Sequence, residues 1–167
     1  MVSLVKARVR KKGHKVFIPK FPTPKGESLE SWLKILNNYK EYINKDTVII
    51  GHSKGGLFLL RLLERLNHPI YASFLVSASI GIRPYKFYEL NHKFAHGYDF
   101  DWKLIKANSN IFFAYHSNND PYTCLDNGKT IAKNLDINLI LIPNAGHFNE
   151  KSGYLKFEKL LQDIEKL

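Results

Sequence analysis

Apolar residues recur along the chain in two rhythms, short unbroken runs and longer stretches in which they return every three or four positions. The unbroken runs are Val16-Phe17-Ile18, Thr47 to Ile50, Ala72 to Ser77, Ile111 to Tyr115 and Ile137 to Ile142, and each predicts a buried strand. Helical spacing links Val2, Val5 and Val9, with Lys11-Lys12-Gly13 as a helix end. It links Leu29, Trp32, Leu33, Leu36, Tyr39 and Ile43 behind a capping Ser28. An unusually apolar helix is expected from about Lys54 to Leu66, a short one near Trp102, and another around Thr123 to Asn134. Phe157, Leu160, Leu161 and Ile164 mark a terminal helix. Pro22-Thr23-Pro24 reads as a loop. The stretch Ile80 to Phe100 reads as irregular, its aromatic residues either covering a pocket as a small lid or packing in the ordinary way.

Continuously apolar strands separated by helices predict a mostly parallel sheet covered on both faces, a three-layer α/β/α sandwich. The length of 167 residues predicts one domain spanning 1–167. Ligands of such sheets sit beyond the carboxyl ends of the strands. The loops after the strands are therefore where chemistry is expected.

Three of those loops carry suggestive residues. Gly51-His52-Ser53-Lys54-Gly55 follows the strand at Thr47–Ile50 and matches G-x-S-x-G, the tight turn that lifts a serine hydroxyl above a sheet edge. Asp120 follows the strand at Ile111–Tyr115, and His147 follows the strand at Ile137–Ile142. Each residue alone has a plainer reading: a glycine-rich turn with an idle serine, a turn or cap aspartate, a loop histidine. Together, Ser53, Asp120 and His147 stand in the chain order of an α/β-hydrolase triad. A serine hydroxyl needs a base at neutral pH, a role that falls to His147. Asp120 would hold the imidazole in the useful tautomer, and the backbone N–H of Lys54 would donate one oxyanion hydrogen bond.

The formal charge of +10 raises the question of nucleic acid, but the lysines are spread along the chain and no stacking-aromatic motif accompanies them. Nucleic-acid and membrane partners are not expected. Cys124 is the only cysteine, so no intramolecular disulfide forms, and the cytoplasm is the expected compartment. His92 and His96 have the spacing of a metal pair without an obvious third ligand, and no metal is expected. His52 is expected to help shape the serine turn. An ammonium at Lys54 opposes the helix dipole; it reads either as a solvated lysine or as a group favouring anionic substrates.

The segments K-K-G-H-K-V-F-I-P-K-F-P, S-L-E-S-W, V-I-I-G-H-S-K-G-G, F-D-W-K-L-I-K-A-N, Y-H-S-N-N-D-P-Y and I-P-N-A-G-H-F-N-E-K-S-G-Y run in order from Lys11 to Tyr154. With them the chain resembles the small serine hydrolases related to retinoblastoma-binding protein 9, a compact branch of the α/β-hydrolase superfamily. The resemblance implies a single compact α/β domain without a large cap, no metal or organic cofactor, and esterase-type hydrolysis of small acyl substrates. Its nucleophile, acid and base fall on Ser53, Asp120 and His147. The family's opening strand, which ends in a His-Gly loop and supplies the second oxyanion N–H, has no counterpart in the sequence. A fragment, a late start and a differently completed sheet all fit that difference. The alternative function is therefore a non-catalytic or truncated relative acting as a protein-binding module, and an open strand edge would favour a homodimer or protein partner.

Overall fold

A computed structural model describes residues 8–10 and 12–167. Four strands form one parallel sheet in sequence order: β1 (Val48–His52), β2 (Ile70–Val76), β3 (Ser109–His116) and β4 (Leu139–Leu141). Val48 lies opposite Ala72, Phe74 opposite Phe113, and Tyr115 opposite Ile140. Parallel neighbours require crossovers, and helices provide them. α1 (Leu29–Asn37) precedes the sheet and α2 (Lys54–Leu63) joins β1 to β2. α3 (Tyr88–Ala95) and α4 (Trp102–Ala107) lie between β2 and β3, α5 (Leu125–Leu135) joins β3 to β4, and α6 (Glu158–Glu165) closes the chain.

The alternation of side chains along β2 divides the core. Leu75 packs with Leu59, Leu60 and Leu63 of α2, Ile105 of α4 and Ile131 and Leu135 of α5. Ala72, Phe74 and Val76 point to the opposite face, against Phe148, Phe157 and Leu160. β2 is buried on both faces for this reason, and its run of apolar residues follows from it. A third cluster fixes the outer helices, with Trp32 of α1 meeting Phe58 of α2 and Phe94 of α3 at ring-centroid separations of 5.3 and 5.0 Å. Ser28 caps α1 in a reciprocal box with Ser31.

Two expectations need correction. Val16-Phe17-Ile18 forms no strand, and Phe17 and Ile18 are 42% and 47% exposed. The physical reason is the lack of a neighbour: β1 ends the sheet, and no strand of the described residues lies along its outer edge. Phe17 instead packs edge-on against Tyr39 and at a tilt against Tyr42, with ring centroids 5.3 and 4.6 Å away. The stretch Ile80–Phe100 is not irregular throughout, because α3 occupies Tyr88–Ala95 and ends on left-handed His96. Of the first expected helix, Arg8 to Arg10 are helical, and Val2, Val5 and Lys11 lie outside the described residues. No helix of the described residues is long and apolar enough to cross a membrane.

Candidate active site

Ser53 sits between β1 and α2 with φ 56° and ψ −120°, a conformation a side-chain-bearing residue adopts only when its surroundings impose it. The glycines explain how. A Cβ on Gly51 would lie 2.5 Å from the Gly55 carbonyl oxygen, and one on Gly56 would lie 2.5 Å from the Ala78 Cβ. Strand and helix therefore approach at backbone distance only because both positions lack side chains. Ser53 N–H donates to Val76 O at 2.9 Å, which continues the sheet ladder into the turn. The first N–H groups of α2 open just after the hydroxyl, with the positive end of the helix dipole.

The loops after β3 and β4 meet. Asp120 Oδ2 accepts a hydrogen bond from His147 Nδ1 at 2.7 Å, with the carboxylate fully shielded and His147 6% exposed. Nδ1 is thereby engaged, which leaves Nε2 for a second partner. The other carboxylate oxygen of Asp120 accepts from Tyr122 N–H at 2.9 Å and Thr123 N–H at 3.1 Å. Burial pushes the Asp120 pKa up, but the hydrogen bonds from His147 and from the Tyr122 main chain outweigh it and hold the group below the ordinary carboxylate value. Ser77, fully buried at φ 44°, adds to that lowering.

A set of side chains zips the two loops together. Ser117 Oγ accepts from Ala145 N–H at 3.0 Å, Asn119 Oδ1 from Gly146 N–H at 2.8 Å, and Asn118 Oδ1 from Asn144 N–H at 2.8 Å. Ser152 Oγ accepts from His147 N–H itself at 3.2 Å. Sequence reasoning passed over these residues, although the run Ser117-Asn118-Asn119 before Asp120 was their visible signal.

His52 connects the serine turn to the histidine loop. Its Nε2–H donates to the His147 carbonyl at 2.8 Å, and the two rings lie 4.8 Å apart. Burial, reinforced by the neighbouring His147, lowers its pKa to about 4, so it remains a neutral donor at physiological pH. Lys54 is neither solvated nor free. Its ammonium pairs with Glu27 and lies 5.4 Å from the Phe94 ring, and the two charged side chains are only 18% and 7% exposed. Glu27 also accepts from Thr23 Oγ1 at 2.6 Å.

Among the described residues no group of three His, Cys, Asp or Glu side chains could hold a metal ion. His92 stacks on Tyr88, and His96 Nε2 lies 2.9 Å from Glu30. Cys124 is partly exposed at the N-cap of α5.

A sequence model of the serine hydrolase family matches residues 6–166. The chain is 27% identical over 161 residues to the serine hydrolase RBBP9 of Rattus norvegicus, covering 93% of this chain and 78% of that protein. The crystal structure of the ydeN gene product from B. subtilis superposes with a TM-score of 0.88 at 25% identity, covering 98% of this chain and 88% of that one. A meta-cleavage product hydrolase from Pseudomonas fluorescens IP01, 13% identical, shares the fold with a TM-score of 0.60 over 88% of this chain and 75% of its own.

Proposed function

Because the chain belongs to the serine hydrolase family, we propose that it cleaves small carboxylic esters through Ser53, His147 and Asp120 by way of an acyl-enzyme. The observation that carries this reading is the Asp120–His147 contact at the end of the sheet where the serine turn also lies. The Ser53 hydroxyl attacks the ester carbonyl carbon while His147 Nε2 takes its proton. The electron pair moves onto the carbonyl oxygen, where the Lys54 N–H donates a hydrogen bond. Collapse of this intermediate expels the alcohol, protonated by His147, and leaves the acyl group on Ser53 Oγ. Water, deprotonated by the same imidazole, releases the acid and restores the serine. Asp120 stabilises the imidazolium formed in each half. The lone Cys124 suits a reducing cytoplasm as the place of this activity.

Hydrolysis of short-chain para-nitrophenyl esters tests the reading. Ser53→Ala and His147→Ala are expected to lower kcat by about 10⁴-fold or more, and Asp120→Asn by about 10⁴-fold through the wrong tautomer. Turnover that survives Ser53→Ala undiminished would sink it. Among the described residues no strand pairs with the outer edge of β1, where Val48 and Ile50 are exposed, and this favours a second reading as a non-catalytic protein-binding relative. In that case Ser53 would be unreactive in a folded protein.

A further inference from the structure

A cleft of about 420 Å³ opens where the segment after β2 meets the loop after β3, lined by Pro84, Tyr85, Lys86, Pro121, Tyr122 and Cys124 beside Asp120. That volume falls in the range of small-molecule sites. Its two walls are fastened to each other. Lys86 N–H donates to Tyr122 O at 3.1 Å, and Tyr85 bridges Thr123. Behind them the buried Asn127 accepts from the N–H groups of Ile80 and Ile82, each at 3.0 Å, and donates to Ile82 O at 2.8 Å. The cleft is therefore preformed.

Tyr122 joins it to the chemistry. Its ring meets the His147 ring edge-on, with centroids 4.9 Å apart and an interplanar angle of 84°. At the same ring lies a cation: Lys86 Nζ is 5.4 Å from the Tyr122 centroid and 5.7 Å from that of Phe87. Lys54 and Arg83 are already matched, by Glu27 and by Glu89 at 3.0 Å. Among the described residues no carboxylate lies within the ion-pair distance of 4.0 Å from Lys86. An ammonium without a carboxylate at the edge of an aromatic-walled cleft suits a flat ligand with a negative end.

We propose that this cleft binds the part of a substrate that carries an aromatic ring ending in a carboxylate, the ring against Tyr85 and Tyr122 and the carboxylate on the Lys86 ammonium. The inference rests on the hydrolase reading, for which it names a substrate class. Lys86 is exposed, so its ion pair has the modest strength of a surface pair, and contact with the Tyr85 and Tyr122 rings fixes the ligand's orientation. A neutral ligand of the same shape forfeits that pair.

Binding to Ser53→Ala protein, which holds substrate without turnover, separates the two claims. Para-acetoxybenzoate is expected to bind about threefold to fivefold more tightly than its neutral methyl ester. Adding Lys86→Ala should erase the difference, Lys86→Glu should reverse it, and Lys86→Arg should retain it. Equal affinity for acid and methyl ester, or a preference for the acid that survives Lys86→Ala, overturns the inference. Reactivity of Ser53 in the unaltered protein is scored apart. Its failure would count against the hydrolase reading and leave the binding result standing.

Discussion

Glu27 and Lys54 bring two charges out of water next to Ser53, and their pairing decides what charge a substrate would meet there. Lys54 was conspicuous in the sequence because it interrupts the serine turn. Its partner was not, since Glu27 lies 27 positions upstream in a loop and only the fold brings them together. With the ammonium matched, Lys54 adds no net attraction for anions, and the oxyanion role proposed for it would fall to the backbone N–H alone. Glu27→Gln should therefore uncover a positive charge at the site. The ratio of kcat/KM for anionic over neutral esters should rise several-fold, and stability should fall by about 1–3 kcal/mol because a shielded cation loses its partner. Paired ester kinetics and urea denaturation check both; an unchanged ratio would mean the ammonium does not face substrate. His52 shows another partial legibility. Its place beside Ser53 suggested a structural role, whereas its bond to the His147 carbonyl joins loops about 95 positions apart.

At the scale of elements, the serine turn is the feature the sequence specifies most closely, because Gly51 is required by backbone contact and Gly56 by the approach of Ala78, while Gly55 faces open space. Gly51→Ala would place a methyl group 2.5 Å from Gly55 O, where neither strand nor helix can yield cheaply. A loss of about 2–4 kcal/mol is expected in chemical denaturation, with ester turnover falling at least as far as the folded fraction. A stability equal to the parent's would contradict the close-contact account. The strands and the longer helices were legible from unbroken runs and helical spacing. Val16–Ile18 shows the limit of that pattern, since a strand is made by its neighbour and, among the described residues, no strand lies beyond β1 to pair with it. α3 was missed for a different reason: Phe87 gives it no side-chain cap, and its sequence mixes polar and aromatic residues without a strong apolar stripe.

For the whole molecule, the rule that parallel sheets carry their ligands beyond the carboxyl ends of the strands made Ser53, Asp120 and His147 readable as a set before any coordinates. The loop-to-loop bonds and the cleft at Lys86 depend on three-dimensional closure and left only faint traces in the sequence. That closure also sets the response to acid. Burial holds His52 at about 4 and lowers His116 as well, whereas the unfolded chain takes up these protons near 6.5. Between those values the unfolded state binds more protons, so stability is complete above about pH 6.5 and declines as pH falls toward 4. Asp120, with a lowered carboxylate pKa, adds a further loss as pH drops below its ordinary value of 3.8. Urea midpoints should fall from about pH 7 to about pH 4.5, and His52→Gln should flatten that slope. A midpoint independent of pH over this range would mean the histidines are not shielded as described.

The reactivity of Ser53 is tested most directly by treating the purified chain with a fluorophosphonate and reading its intact mass. One adduct per chain is expected, absent in Ser53→Ala and strongly slowed in His147→Ala. A folded protein that stays unlabelled, or one that labels equally well without Ser53, would contradict the assignment of nucleophile and base.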